Sequence, residues 1–546
     1  MANSAENVNK KRKAKSFRSY SGYMLFYMIA TVLTKIIGFF REIAITYKFG
    51  YGPVSDGYIL GFSVPDLVYS ILIGGAIGAA VTPILSSAIE RDEEEKVWPT
   101  LSTFFTTIMI AFAVFLVLGE VFSPQIISFL NPDKEAEVIS IATSVSRVIY
   151  IQTFFFILIA IITSVLSSNK VFGLPAFGVT IYNIVGLISV LVFGASNKAG
   201  AVKVAWGIVF AALLYFLYLN HFSKPFLGNY RPRLNFKDKR FWYILSLAIP
   251  ALLSGTVRQL NTIVQQRYTS QFTGAVTSLK NATTLFNLPY QIITVSIGGF
   301  LLPNISGYLA RGANKDASDF LSKSIRITIF LVLPFALVFF IFPGRTVQAV
   351  FQWNTESYTN ANVMSTASLL RIYAIDLIIV TFTYFINQLF YALQKNYYTL
   401  ISAVISLASN FILCEIFINR LGFGIKALGV ATLIADIIVL IYSLVILSRI
   451  APNLEIESSL SYVVKLATTI IFTLSTLNLV DVIMPSTASK LLQLLQYVLI
   501  FVIGFIAYLA SAYFLQMDEV RSSGKMLGNF FSRFKAKKKQ KKVGKD

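Results

Sequence analysis

Four cations lie where an apolar chain accommodates charge least well. Lys35, Arg41, Arg258 and Lys280 all fall inside long apolar stretches. There an ionised side chain costs roughly 2.5–3.5 kcal/mol on insertion scales and usually faces a water-filled cavity. The first stretch is the densest, with Thr34, Lys35, Gly38, Arg41 and Glu42. On a helix Thr34, Gly38 and Arg41 form one stripe and Lys35 and Glu42 an adjoining one, so both can face a single cavity. Cations so placed suit an anion. Phosphate fits best, because the arginine fork pairs two of its oxygens at once and lysine adds a point charge. The anion is either hydrophilic throughout or lipid-linked, with its head group crossing while the tail stays in the bilayer.

The acids divide into two groups. Asp56 follows the loop Gly50-Tyr51-Gly52-Pro53 and is read either as a helix N-cap or as a partner of Arg41 in a gate at the cavity mouth. Glu42 belongs to the same gate or lies at the outer interface. Asp376 and Asp436 lie deep in apolar stretches; they either pair with the cations or form a sodium or proton site. Asn183 and Asn410 suit hydrogen bonds between helices. Cys414 is the only cysteine and His221 the only histidine, which excludes disulfides within the chain, multi-cysteine metal sites and the usual histidine relays. No cofactor is expected. With no phosphate-binding loop of the G-x-x-x-x-G-K-[ST] type, energy would come from a Na+ or H+ gradient or from the membrane potential.

The elements that hold these residues follow from composition. Of 546 residues 55% are hydrophobic and only 13% charged, with a mean hydropathy of +0.68 and a net charge of +21. Soluble chains carry roughly 25% charged residues. An ordinary cytosolic enzyme, a disordered chain and a disulfide-built secreted domain are therefore excluded. Fourteen stretches, from 22–47 to 489–516, reach the roughly 20 apolar residues that a spanning helix needs. They are continuous runs of Ile, Leu, Val and Phe rather than alternating ones, which predicts helices and not a barrel. Basic residues crowd both tails, from Lys10 to Arg18 and from Lys535 to Lys542, and the loop from Lys224 to Arg240. This places both termini in the cytoplasm. The start reads as a basic tail before a spanning helix rather than a signal peptide. The tails suit anionic membrane lipids, at about 1 kcal/mol per residue, rather than nucleic acid.

The two halves of the chain resemble each other. Phe62-Ser63-Val64-Pro65 matches Phe286-Asn287-Leu288-Pro289, and Ile73-Gly74-Gly75 matches Ile297-Gly298-Gly299. Pro83, Ser86 and Arg91 match Pro303, Ser306 and Arg311; Arg147 matches Arg371, and Asn183 matches Asn410. Six spans per copy give parallel repeats, a transporter feature that puts the substrate site between the halves. The expected fold is an all-α polytopic membrane protein with about fourteen transmembrane helices, in two parallel six-helix repeats plus two extra C-terminal helices. Its parts are a basic cytoplasmic tail (1–21), an N-terminal six-helix lobe (22–222), a basic cytoplasmic loop (223–240) and a C-terminal six-helix lobe (241–449). Two additional helices (450–516) and a second basic tail (517–546) complete it.

Thr34-Lys35-Ile36-Ile37-Gly38-Phe39-Phe40-Arg41-Glu42, continued by Phe49-Gly50, Ser55-Asp56, Pro65-Asp66-Leu67, Gly75-Ala76 and Pro83-Ile84-Leu85, resembles the MurJ/MviN family. These are lipid II flippases of the multidrug/oligosaccharidyl-lipid/polysaccharide superfamily. The resemblance implies a cationic cavity for the diphosphate of an undecaprenyl-linked precursor, formed by Thr34, Lys35, Arg41, Arg258 and Lys280, and gating by Arg41, Asp56 and Glu42. It further implies a tail groove on the last two spans, alternating access, a bacterial cytoplasmic membrane, and cell-wall synthesis machinery as partner. The sequence departs from the family pattern at Thr34-Lys35, at Tyr69 and at Thr284, each in place of a pattern arginine or its serine-arginine pair; Lys280 or Arg258 would compensate at the last. The same features fit a flippase for another polyprenyl-linked polysaccharide, such as a capsule or teichoic acid. A drug/cation antiporter fits less well, because cations outnumber acids. The expected protein is not an enzyme, since the loops read as external are short and poor in carboxylates. A non-transporting membrane scaffold would not need cations in mid-span.

Overall fold

The computed structural model describes residues 31–520 apart from 73–75, 228–229, 453, 455–459 and 485–488. Both basic tails and Ile73-Gly74-Gly75 of the repeat lie outside the described residues, and so does the side chain of Arg258. The described residues form helices and contain no strands, as the continuous apolar runs predict. Eleven of these helices are long and apolar enough to cross a membrane, against fourteen stretches in the sequence. The remaining three are the first, second and seventh stretches. The first carries Lys35, Arg41, Glu42 and Lys48 in its described part, 31–49. The second is broken into three helices. The seventh is polar from Gln259 to Arg267.

The chain divides into two compact units. The first contains the described residues up to Asn281, with Asn354–Tyr358 and Asn410–Ile425. Its helices are α1 (31–49), α2 (Pro53–Leu60), α3 (Ser63–Leu72), α4 (Ala76–Glu90) and α5 (Glu94–Leu130). Then come α6 (Ala136–Ser168), α7 (Gly173–Phe193), α8 (Lys198–Leu227), α9 (Lys239–Thr269) and the start of α10 (Ala275–Pro289). The turn after α1 needs Gly50 and Gly52, at φ 73° and 132°, values that a side chain makes costly. Pro53 then opens α2, where its missing N–H is not needed.

Helix α6 is the hub of this unit and packs against α2, α4, α5 and α8. Small residues on α8 (Gly200, Ala201, Ala205, Gly207, Ala211, Ala212) allow close approach, as in other membrane helix pairs. A Cβ on Gly207 would lie 1.7 Å from Ser189 Oγ and 2.4 Å from Ser189 Cβ. Gly207→Ala should therefore cost about 1–3 kcal/mol by overpacking and lower the thermal midpoint in detergent; an unchanged midpoint would contradict the α7–α8 contact. Helix α9, which the sequence assigns to the second lobe, packs against α3, α4 and α5 of this unit. Phe241, Ile244 and Ala248 join Leu101, Phe104 and Phe105 in one core. Asp238 caps α9 through the Arg240 N–H and accepts from Thr100 Oγ1 at 2.5 Å. The Thr100 bond holds the Asp238 carboxyl below the usual range.

The second unit contains Ala282–Trp353, Thr359–Ser409 and the described chain from Lys426. It begins with the end of α10 and a π-helical turn, Tyr290–Val295, followed by α11 (Ser296–Ala310), α12 (Asn314–Ile341) and α13 (Pro343–Phe351). Next come α14 (Asn360–Ala392), α15 (Tyr397–Cys414, ending in the first unit), α16 (Lys426–Ile450), α17 (Leu460–Ile483) and α18 (Lys490–Phe514). Its core joins Leu321, Ile325 and Ile329 to Phe385, Leu389 and Phe390. Helix α17 is tied down by Arg345–Asp481 at 2.5 Å, and the segment after α18 by Arg326–Glu519 at 3.7 Å. Lys490 adds a hydrogen bond to the Gln348 carbonyl and lies over the Trp353 ring. The repeat has a counterpart in local structure. The chain breaks regular α-helix at Gly61-Phe62, before Pro65, and again at Tyr290, after Pro289.

Candidate functional site

The first unit holds a chain of charge. Arg41 Nη2 donates to Glu42 Oε1 at 3.1 Å, and Lys280 Nζ lies 3.6 Å from Glu42 Oε2. Glu42 therefore bridges cations from α1 and α10. The Arg41 guanidinium also lies over the Tyr182 ring, 5.5 Å from its centroid, a favourable cation–π placement. Among the described residues Arg41 Nε and Nη1 are buried without a hydrogen-bond partner. A native structure rarely tolerates buried donors in this state, each costing about 1–3 kcal/mol.

The structure shows what the first stripe of α1 meets. Thr34, Gly38 and Arg41 face α7. Thr34 Oγ1 lies 2.6 Å from Thr180 Oγ1, Gly38 packs near Asn183, and Gly186 lies against the Arg41 side-chain stem. The Thr34 hydroxyl, expected as a ligand contact, is engaged with α7; a helical stripe shows which residues share a face but not what the face meets. Lys35 is exposed. Arg258 is on α9, with its side chain outside the described residues.

The expected Arg41–Asp56 pair is also corrected. Asp56 is 1% exposed and forms a buried ion pair with Lys134 at 2.8 Å. It accepts two further hydrogen bonds, from Thr277 N at 3.0 Å and Thr277 Oγ1 at 2.7 Å. Gly52, not Asp56, stands at the N-cap of α2. Arg41 has Glu42 as its neighbour, whereas Asp56 points to the α5–α6 and α9–α10 turns. Lys134 also donates to the Phe272 carbonyl at 2.9 Å, and Ser270 donates to Asp133 at 3.0 Å. Thr46 donates to Asn281 at 3.0 Å, and Tyr51 Oη lies 2.9 Å from Ser278 Oγ. These bonds form a buried latch on the loop face opposite residues 230–238.

In the second unit Asp376 on α14 and Asp436 on α16 lie within electrostatic range of each other, and Asp376 Oδ1 is buried without a hydrogen-bond partner among the described residues. The expected alternative, pairing with the mid-span cations, is not seen among the described residues. Arg147 instead pairs with Glu120 at 3.6 Å on the surface, and Arg371 donates to the Phe340 carbonyl at 3.2 Å. Asn183 donates to the Thr34 carbonyl at 3.4 Å and Asn410 accepts from Cys414 at 3.2 Å, both of them helix contacts.

Sequence reasoning missed Lys134, Thr277, Tyr182 and Asp66. Lys134 lies in an ordinary polar turn that carries no signal. Asp66 did carry one: an acid directly after Pro65 in an apolar stretch.

A family model described as lipid II flippase MurJ matches residues 45–508. A probable lipid II flippase MurJ of Bdellovibrio bacteriovorus is 24% identical over 500 residues, covering 90% of this chain and 94% of that protein. The lipid II flippase MurJ of Burkholderia cenocepacia is 26% identical over 375 residues, covering 67% of this chain and 72% of that one. A solved lipid II flippase MurJ in an inward closed conformation matches with a TM-score of 0.74 at 23% identity, over 90% of this chain and 99% of that one. An inward-facing multidrug resistance MATE family transporter of the MOP superfamily matches with a TM-score of 0.64 at 12% identity, over 78% and 98% of the two chains. At these identities the structural likeness concerns the fold.

Proposed function

Because this chain belongs to the lipid II flippase MurJ family, we propose that Arg41 and Lys280 hold the diphosphate of its cargo. The protein is a multi-pass membrane transporter that moves a polyprenyl-diphosphate-linked peptidoglycan precursor across the bacterial cytoplasmic membrane for cell-wall synthesis. The observation that carries the assignment of residues is the bridge Arg41–Glu42–Lys280, with the unpaired buried donors of Arg41 beside it. A diphosphate would take up those donors and compete with Glu42 for both cations. Lys280 on α10 thereby supplies the charge that the family pattern places on an arginine at Thr284, one turn further along. The transport step makes and breaks no covalent bond. Lys35, and Arg258 on α9, would add charge along the cargo's path.

Both termini are cytoplasmic in this reading, since the basic residues concentrate there and in the loop before α9. The latch around Asp56 then lies on the outer face and acts as the outer gate of an alternating-access cycle. The Asp376–Asp436 pair is the candidate coupling site, because two neighbouring carboxyl groups can take up a proton from the gradient or offer sodium hard oxygen ligands. Asp376→Asn should make cargo movement in proteoliposomes independent of the imposed H+ or Na+ gradient, with binding unchanged. Unaltered gradient dependence would remove the pair from the mechanism and leave the membrane potential as the driving force.

Complementation tests the function as a whole. Expression of this chain should restore growth to a host depleted of its own lipid II flippase. Good expression without rescue would favour another polyprenyl-linked cargo, to be identified from the lipid that co-purifies by native mass spectrometry.

A further inference from the structure

Asp66 opens α3 and does not fit a site built only for an anion. Its side chain is accessible to water, yet it lies within electrostatic range of Lys280, Tyr69 and Tyr182. Among the described residues it has no ion pair within 4 Å, because the Lys280 ammonium is engaged by Glu42 at 3.6 Å instead. Arg41 and Lys280 are thus matched in charge by Glu42 and Asp66. A cargo bearing only a diphosphate would meet Asp66 as a repulsive charge.

Tyr69 lies one turn further along α3, on the same face as this carboxylate. Tyr69 packs on Phe156 at 6.0 Å between centroids and Phe156 on Tyr182 at 5.2 Å, so an aromatic row runs from Asp66 to the ring beneath Arg41. A carboxylate beside aromatic faces is the chemistry that recognises an ammonium group.

We infer that Asp66, with Tyr69 and Tyr182, forms an ammonium subsite next to the diphosphate site, so that the preferred cargo carries a free amine on its head group. This rests on the diphosphate reading above and adds to it a second point of recognition, of opposite charge. The cargo is then read as a zwitterion, with the diphosphate against Arg41 and Lys280 and the ammonium against Asp66.

The experiment compares three probes on the purified full-length protein in nanodiscs. They are an undecaprenyl-diphosphate-linked disaccharide-pentapeptide with a free lysine amine, the same molecule with that amine acetylated, and undecaprenyl diphosphate alone. The wild type should bind the free-amine probe about tenfold more tightly than either of the others, the scale of one desolvated charge contact. Asp66→Asn should reduce that preference to under about twofold while keeping the affinity for the acetylated probe, and Asp66→Glu should restore part of it. Equal binding of the free and acetylated probes by the wild type overturns the ammonium subsite and leaves the diphosphate site standing. A preference that persists in Asp66→Asn also overturns it. Binding of none of the three overturns the diphosphate reading, and the subsite with it.

Discussion

Arg41→Ala should abolish rescue of a flippase-depleted host, whereas Glu90→Ala, which removes only an exposed pair with Lys170 at 3.2 Å, should leave rescue intact. The arginine is the one side chain of the cluster with donors left over. Nη2 serves Glu42, but Nε and Nη1 are buried and unpartnered among the described residues. Truncating one partner of a buried charge-assisted contact costs about 2–5 kcal/mol, which is a loss of at least about thirtyfold in cargo affinity. Stability should respond differently. Alanine removes two donors that the folded protein does not satisfy, and Glu42 keeps Lys280 as its partner. The thermal midpoint without cargo should therefore change little, and the stabilisation by added cargo should disappear. Arg41→Lys keeps the charge but loses the planar fork, so it should be intermediate in rescue. A variant that unfolds in parallel with its loss of rescue would make Arg41 a packing residue, joined to Tyr182 and α7, rather than a cargo contact.

That prediction starts from a residue visible in the sequence, and the contrast with the others is physical. An ion in an apolar helix is conspicuous because its cost demands a reason, so Arg41, Glu42 and Lys280 could be found without coordinates. The helices could be found for the same reason, since continuous apolar runs leave few alternatives to spanning helices. The direction of a helical stripe is less accessible. Thr34 and Arg41 share a face, but only packing shows that Thr34 meets Thr180 of α7 there. Pairings between distant loops are less accessible still. Asp56 and Lys134 are 78 residues apart in sequence, and Lys134 lies in a turn whose composition is that of any polar turn. Even the helix following the basic loop was harder to place than to predict. Its apolar face marks it as buried, but the choice of α3, α4 and α5 as neighbours depends on matched shapes, which composition does not carry.

The buried pair at the latch yields the other large effect. Asp56 and Lys134 are 1% and 4% exposed at their side chains, so neither ion can recover its hydration when the other is removed. Asp56→Ala leaves an unpaired lysine beside the Phe272 carbonyl and takes both Thr277 bonds with it, which should cost about 3–5 kcal/mol. The double variant Asp56→Ala, Lys134→Met removes both charges and should recover most of that loss, because replacing a whole buried pair by apolar groups is often neutral. The chain supplies its own reporter for the consequence. Cys414 is its only cysteine, is fully buried, and belongs to the Asn410–Ile425 segment of the same unit. Next to it Glu415 accepts from Tyr268 at 3.0 Å, two residues before Ser270 and its bond to Asp133. Opening the latch should loosen this segment and expose the thiol. A membrane-impermeant maleimide should label Cys414 slowly in the wild type, much faster in Asp56→Ala, and at close to the wild-type rate in the double variant. If Asp56→Ala lowers the thermal midpoint but leaves the labelling rate unchanged, the ion pair stabilises the fold without gating it. If labelling accelerates equally in the single and double variants, the charge of the pair is not what keeps the latch closed, and the Thr277 bonds to Asp56 must be.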